Sequence, residues 1–451
     1  MTQEKLLDDV FSADIVGGAL KCNSPAGERL IDLGDILCAL PSRKSNDSGY
    51  TVLFFQRSEI ESKQQDLARL MKIKIATLPT PLSHLLTDLP DHLRGQGSPI
   101  QVVISTRSGT GRAKAVFLKA VQPLLAYLGL DDYEVHETES AQTIIELAQS
   151  QFLERACNGV PQTIILLAGD GGVIDIVDVF YKSGRAIRMP PKIALIPCGT
   201  GNAMASSIGL RSGPLSGLTG LLWGKASTLP IFASKFSPGS QLVVDEGRQR
   251  APIDGDSGAP SPIIYGAVVA SWGLHAALVA DSDTSEYRKY GSERFQMAAK
   301  ELLYPSDGTE THRFKGQITL TTLDGQTGIQ KQEALSETEH MYALATLVPR
   351  LEKEFLISPD SEPLSGEMRL IRFGPMSPEE AMHLMTLAYQ GGRHVLEKSV
   401  TYAEVEGLRI NFQEDQERWR RVCVDGKIIA VEKNGWMELC KEPRQLLDLM
   451  H

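Results

Sequence analysis

The sequence predicts an α/β nucleotide-binding domain, built as a parallel sheet with crossover helices, followed by a β-rich, sandwich-like domain. A small β-rich region precedes both. Three observations carry this reading. Between Ile100 and Ile208, apolar strands alternate with amphipathic helices at the spacing of a parallel sheet with crossovers. Three of those strands end in a glycine turn that opens a helix. Beyond about residue 228 the alternation gives way to short β-like runs separated by polar loops.

Composition sets the frame. The chain has 451 residues, 46 basic against 56 acidic side chains, and 42% apolar residues. That suffices for two or three domains with their own cores and excludes a largely disordered chain. A net charge of −10 argues against nucleic acid as a partner, because phosphate-backbone binding needs a basic excess. The six cysteines form no CxxC pair, so they are expected to be reduced thiols, neither zinc ligands nor disulfide partners. The polar N-terminus, Met1 to Val10, does not read as a secretory signal. The 18 uncharged residues 263–280 contain Gly266, Gly273 and clustered β-branched residues. They read as buried strands joined at Trp272-Gly273, not as a spanning helix.

The elements follow in order. Residues 1–95 hold a turn-rich loop at 42–49, a strand at 50–55 and a charged helical run at 58–71, and a linker carrying Pro79, Pro81, Pro90 and Pro99 leads into the next region. In 96–228, the strand 100–105 passes through Arg107-Ser108-Gly109-Thr110-Gly111 into a helix ending near Leu128. A strand at 133–136 is followed by a helix carrying Ile144, Ile145 and Leu147. The strand 163–168 leads through Gly169-Asp170-Gly171-Gly172 into a helix at 173–181. The strand 192–197 leads through Gly199-Thr200-Gly201-Asn202 into a helix at 203–208. In 229–451, β-like runs fall at 317–322, 341–348, 368–373, 408–412, 421–424 and 428–431, with helices near 292–303 and 378–387. Segments 237–262 and 324–339 are polar and are expected to be flexible insertions.

Glycine tolerates positive φ and lets backbone N–H groups approach a ligand. A helix N-terminus adds free donors and partial positive charge. In an open parallel sheet such turns gather at the carboxyl ends of the strands, where ligands bind. One such turn is equally a tight connection, but three within about a hundred residues indicate a nucleotide cleft. No GxxxxGKS or GxxxxGKT occurs, and neither HRD nor DFG. Arg107, Arg112 and Lys114 around the first turn either neutralise phosphate or begin a solvated helix. Asp170, set between glycines, is suited to accept a proton from an attacking hydroxyl or to hold magnesium. Its plainer reading is a turn-forming Asp. Asp175 either faces the same cleft or stabilises the helix dipole.

Ala168-Gly169-Asp170-Gly171, followed 28 residues later by Gly199-Thr200-Gly201-Asn202 within Pro197-Cys198-Gly199-Thr200-Gly201-Asn202, resembles the (G/S)GDG and PxG(T/S)GN turns of the diacylglycerol kinase and sphingosine kinase superfamily. Ser271-Trp272-Gly273-Leu274, Thr138-Glu139, Asp425-Gly426 and the series Glu286-Tyr287-Arg288, Gly291, Glu293-Arg294-Phe295 resemble segments of sphingoid long-chain base kinases. The resemblance is clear from residue 100 to 208, patchy to 426 and loose over 1–95, where a pleckstrin-homology-like module is the nearest comparison.

The resemblance implies a cytoplasmic, peripherally membrane-associated lipid kinase that uses ATP and Mg2+ to phosphorylate the primary hydroxyl of a sphingoid long-chain base. Asp170 is then the general base. ATP contacts are implied for Ser105, Thr106, Arg107, Gly109, Gly111, Thr138, Asp175, Gly199, Thr200, Gly201, Arg288, Arg294, Asp425 and Gly426. Substrate contacts are implied for Gly169, Asp170, Gly171 and Asp281, and Asp175 and Asp425 are candidate metal ligands. Without the motif, Arg288 and Arg294 read as ion-pair partners of Glu286 or Glu293. The competing readings are a diacylglycerol or ceramide kinase and a catalytically weak lipid- or nucleotide-binding protein. An NAD kinase-like enzyme shares the GGDG turn, but the GTGN turn and the later series argue against it. Three departures stand out. Ser105-Thr106 replace the family's Asn-Pro, and Lys427 replaces the acid of its DGE. The stretch from Gly273 to Arg288 is two residues longer, which leaves Asp281 and Asp283 both as candidates for gripping an amine.

Overall fold

The computed structural model describes residues 10–24, 27–42, 49–56, 68–94, 99–109, 111–210, 214–253, 261–291, 293–325 and 327–451. The expected loop at 42–49 and most of the helical run at 58–71 lie outside them. From Arg69 the chain is a strand, Arg69–Ile75, whose apolar residues pack inward.

The strand–helix alternation builds one parallel sheet. Its strands are β1 (Ile100–Ile104), β2 (Tyr133–Glu137), β3 (Thr163–Ala168) and β4 (Lys192–Pro197). Every residue of β1 and β3 is buried, as expected for a sheet covered on both faces. Val103 and Leu166 point into one core, while Val102, Ile104, Ile165 and Leu167 point into the other. The crossovers are α1 (residues 113–127), α2 (residues 143–157) and α3 (Asp170–Lys182). After β4 come α4 (Ala203–Ser207), α5 (Pro214–Trp223) and the short β5 (Ala226–Thr228).

The N-terminal region is a six-stranded sheet. Leu37, Leu40, Leu53, Phe55 and Leu70 on one face share a core with Phe117, Leu124 and Leu221 of the α/β domain. The proline-rich linker is packed as well: it forms two short 3-10 turns that bury Leu82 and Leu93.

The C-terminal half is a pair of antiparallel sheets of seven and eight strands with a shared apolar core. The larger sheet contains β6 (Val269–Gly273), β7 (Tyr342–Thr346), β8 (Arg421–Val424) and β9 (Lys427–Ala430). Trp272 is fully buried there, edge-on to Phe314 and Phe412, and its indole N–H donates to the Trp419 carbonyl (2.8 Å).

Three expectations are corrected here. The apolar stretch 263–280 is two strands, Ile263–Gly266 and β6, followed by a helix, α6 (Leu274–Ser282). Gly273 makes that switch at φ +88°, where a Cβ would lie 2.5 Å from the Met341 carbonyl oxygen. The polar segments expected to be flexible pair as strands, Gln241–Val244 with Gln249–Pro252 and Gln330–Ala334 with Phe314–Leu323; residues 254–260 lie outside the description. The expected break at 228/229 also fails at the C-terminus. Asp448–Met450 returns to pair with β4 and β5, because Leu449 fills the α/β core. Among the described residues no helix is long and apolar enough to cross a membrane.

Candidate active site

The three glycine turns touch each other through backbone. A Cβ on Gly109 would lie 2.5 Å from the Cys198 carbonyl oxygen, and one on Gly199 would lie 2.5 Å from the Gly169 Cα. No side chain fits at these crossings, which is why glycine occupies them. Hydrogen bonds fix the contact. The Gly169 N–H donates to Ser108 Oγ (2.9 Å). Asn202, at φ +50°, closes the third turn: its Oδ1 accepts the Gly199 N–H and its Nδ2 donates to the Gly199 carbonyl, both at 2.9 Å.

The Ser105-Thr106 departure has a local cause. The Thr106 N–H donates to Thr138 Oγ1 (3.0 Å), and its hydroxyl donates to the Thr138 carbonyl (2.7 Å). Proline at 106 would lack that N–H. This pair ties the loop after β1 to the loop after β2.

Asp170 is the first residue of α3, three residues earlier than the expected helix start. Its carboxylate accepts the N–H groups of Ala203 (2.6 Å) and Met204 (3.1 Å) at the start of α4. Burial raises its pKa to about 6 against the opposing pull of those two bonds. Across the cleft, Asp425 in the β8–β9 turn accepts N–H groups from Ala267 (2.7 Å), Val268 (3.1 Å) and Val269 (2.5 Å). Burial pushes its pKa up to about 7, and the Asp170 charge adds to the rise.

The cleft between the two domains encloses about 510 Å³. Ser108, the three turns, Asp170 and Asp425 line one part of it. Leu278, Phe295, Leu351, Phe355, Met382 and Met385 make another part apolar, from α6, α8 (Glu293–Leu303), α9 (Pro378–Tyr389) and the loop after β7.

Of the residues singled out from sequence, Gly109, Gly169, Asp170, Gly171, Gly199, Thr200, Gly201, Arg294, Asp425 and Gly426 line this cleft. Ser105, Thr106, Arg107, Gly111 and Thr138 belong to the neighbouring loops but not to its wall. Arg288 stands on the short helix α7 (Ser285–Arg288) and pairs with Asp283 (3.0 Å), as Arg294 does at 3.5 Å. Neither pairs with the expected Glu286 or Glu293; Glu286 takes Lys289 instead (2.8 Å). Asp281 is outside the lining, with its carboxylate taken by Arg418 (2.8 Å) and Arg421 (2.7 Å). Asp283 lines the cleft in its place. Asp175 also lies outside the lining, 3.6 Å from Lys427, whose stronger partner is Asp178 (2.8 Å). The lysine that breaks the DGE pattern is thus an interdomain ion pair. Among the described residues no three His, Cys, Asp or Glu side chains gather as a ready metal site.

Among the lining residues that sequence reasoning missed are His275 and Glu352. His275 places Nδ1 2.7 Å from the Ser271 hydroxyl, and burial lowers its pKa to about 4. No local periodicity pointed to it, because Ser271 belongs to a strand and His275 to the helix that follows. Glu352 sits in a polar loop that gave no signal.

Residues 99–232 match the profile of the Diacylglycerol kinase catalytic domain family. This segment resembles a diacylglycerol kinase catalytic domain. The kinase domain holds all three glycine turns and Asp170. The chain is 30% identical over 117 residues to sphingoid long chain base kinase 5 of Saccharomyces cerevisiae, covering 26% of this chain and 16% of that one. It is 28% identical over 139 residues to sphingoid long-chain bases kinase 1 of Arabidopsis thaliana, covering 29% and 17%. Against sphingosine kinase 1 of Homo sapiens it is 25% identical over 201 residues, covering 44% and 46%. The chain therefore spans less than half the length of each of these relatives. Much of the chain shares its fold with a Bacillus anthracis str. Sterne protein whose structure is described as that of 'a putative diacylglycerol kinase'. The TM-score is 0.52 at 14% identity, over 78% of this chain and 97% of that one.

Proposed function

We propose that the protein is an ATP-dependent lipid kinase that transfers the γ-phosphoryl group to the primary hydroxyl of a sphingoid long-chain base. One observation carries the reading: a single cleft joins three backbone-lined glycine turns, a buried carboxylate at Asp170 and an apolar wall wide enough for an alkyl chain. The similarity to sphingoid base kinases of three organisms supports the choice of acceptor.

In this reading the turn N–H groups and the start of α3 receive the phosphates. Arg294, with Arg288 behind it, neutralises charge that develops during transfer. The lipid hydroxyl oxygen bonds to the γ-phosphorus as the bond to the β–γ bridging oxygen breaks. The hydroxyl proton passes to Asp170. A carboxylate titrating near pH 6 is largely ionised at neutral pH yet more basic than an ordinary one. Ser105, Thr106, Arg107, Gly111 and Thr138 shape the nucleotide end from behind the first turn.

Magnesium fits as a cation that arrives with ATP, since it keeps several waters and needs only one or two carboxylates besides the phosphates. Asp425, whose two oxygens already accept backbone N–H groups, would face it only through water, and Asp175 is committed to Lys427. When bound, the ion supplies charge neutralisation at the phosphates. Each CH₂ of the lipid tail buried against Phe355, Met382 and Met385 contributes about 0.8 kcal/mol. The substrate is delivered from a bilayer, so the protein associates with membranes peripherally.

The test uses labelled ATP, Mg2+ and separate micelles of sphingoid base, ceramide and diacylglycerol, with wild type and Asp170→Asn. Label is expected in the sphingoid base with wild type alone. Label in ceramide or diacylglycerol only would overturn the acceptor, and label in no lipid from folded protein would overturn the kinase.

A further inference from the structure

Glu352 lies on the loop between β7 and the strand Met368–Phe373. That loop is fastened to the kinase domain. The Arg350 N–H donates to Ser207 Oγ (3.1 Å), and the same hydroxyl donates to the Arg350 carbonyl (3.2 Å). The Leu351 carbonyl oxygen lies 3.4 Å from the point a Cβ on Gly201 would occupy. Glu352 therefore enters the cleft beside the third glycine turn. Asp170 is bonded to Ala203 only two residues further along that turn, no more than about 7 Å of backbone.

Four carboxylates line the cleft among the described residues: Asp170, Asp283, Glu352 and Asp425. Three are committed within the protein. Asp170 accepts two backbone N–H groups and Asp425 three, while Asp283 faces Arg288 and Arg294. Glu352 differs. Its hydrogen bond is a long one, 3.5 Å from the Tyr389 hydroxyl, and among the described residues it forms no salt bridge. Leu351, Phe355, Met382 and Met385 make much of the same cleft apolar. Burial pushes the Glu352 pKa up, with Tyr389 and the more distant Arg294 opposing. An ionised carboxylate in such a place is costly unless a ligand supplies a donor or a positive charge.

We infer that Glu352 is the countercharge for a protonated amine on the acceptor lipid, and thereby selects an amino-alcohol headgroup over a neutral one. This rests on the lipid-kinase reading and assigns the role to an element that sequence comparison did not point to, in place of Asp281 and Asp283. The structure offers a competing duty, holding Arg294, which would affect ATP instead of the lipid.

The experiment measures equilibrium binding, without ATP, of a detergent-dispersed long-chain 2-amino-1,3-diol and of its neutral N-acetylated counterpart. The full chain is used as wild type, Glu352→Gln and Glu352→Asp, and the KM for each lipid and for ATP is measured alongside. Glu352→Gln is expected to weaken amine binding tenfold or more and to leave the N-acetylated lipid and the ATP KM within twofold. Glu352→Asp should keep part of the preference, and it carries the test if the glutamine variant fails to fold. An unchanged ratio of amine to N-acetyl binding overturns the inference, as does a rise in ATP KM that matches the loss for the amine. Selective amine binding without phosphorylation of any lipid would sink the kinase reading and leave Glu352 standing. Phosphorylation without amine preference would do the reverse.

Discussion

Replacing Asp170 by Asn removes a charge that the fold holds at a cost, and the cost has a pH signature. Burial sets the folded pKa at about 6 against an ordinary 3.8. The difference, 6 − 3.8, is about 2.2 units, on the order of 3 kcal/mol at ~1.4 kcal/mol per unit. A raised carboxylate pKa means the folded state binds more protons than the unfolded state between those values. Stability therefore falls as pH rises from about 4 through 6 and is level above. At pH 8 the ionised side chain costs the full amount; at pH 4.5 the same linkage leaves about 1 kcal/mol. The asparagine variant lacks this penalty at every pH. The bonds from the Ala203 and Met204 N–H groups are already contained in that folded pKa, so the only offset that does not vary with pH is the difference between asparagine and protonated aspartate. Removing the Asp170 charge also relieves Asp425, which works in the same direction. The stability of the variant relative to wild type should thus decline by about 2 kcal/mol between pH 8 and pH 4.5, or roughly 2 °C in melting temperature for a chain of 451 residues. Thermal unfolding of both proteins at pH 8, 6.5 and 4.5 reads this directly. Phosphoryl transfer by the variant should fall by about 10²–10⁴. A stability difference that stays constant or grows toward acid would refute the buried, destabilised charge, whatever happens to activity.

Three further outcomes are expected. In wild type, kcat/KM for the lipid should rise about tenfold per pH unit below about 6 and flatten above it; a profile still climbing past pH 8 would exclude Asp170 as the base. Gly199→Ala sets a Cβ 2.5 Å from the Gly169 Cα and 2.6 Å from Asn202 Oδ1, so it should cost about 1–3 kcal/mol and weaken ATP binding. An unchanged melting temperature and ATP Kd would show that the turns do not touch. Lys427→Glu would gather a fourth acid with Asp175, Asp178 and Asp425 and should destabilise by about 3–5 kcal/mol, more than Lys427→Met. A variant of normal stability with higher activity would instead mark Lys427 as a defect in a metal site.

What was legible in the sequence was local. A buried parallel strand announces itself as an apolar run, and the glycines at 109, 169 and 199 are visible because no other residue fits those crossings. The three cleft-forming turns and Asp170 were therefore readable without the fold. The helix start at Asp170 was hidden, because Gly171 and Gly172 are poor helix formers that tertiary contact overrides: a Cβ on Gly172 would lie 2.9 Å from the Ala168 Cβ. Pairing between distant segments left no local trace. Asp281 looked free in sequence, yet arginines 137 and 140 positions away occupy it. The same blindness applied to Lys427, whose partners Asp175 and Asp178 lie on the other domain. It also hid the C-terminal strand, where three residues with no strand-like periodicity find an open position beside β4.

These long-range pairings share a physical consequence for the cleft. The polypeptide crosses from the kinase domain into the β-rich half after β5 and returns at Asp448–Met450, so the two halves share a sheet. Around that crossing, Tyr181 donates its hydroxyl to the Arg444 carbonyl (2.9 Å), Lys427 reaches Asp178, and Ser207 clasps Arg350. One apolar core runs without a break from Val173 and Phe180 to Tyr265, Leu344 and Ile371. Swinging the halves apart would break a strand pairing, a half-buried ion pair and this core together, so the distance between Asp170 and Asp425 is set by the fold and not by the ligand. Burial raises the pKa of both fixed carboxylates, and the Asp170 charge adds to the rise at Asp425. Asp170 is basic because the architecture holds it buried in the cleft, and the stability lost to that burial is offset by contacts far from the chemistry.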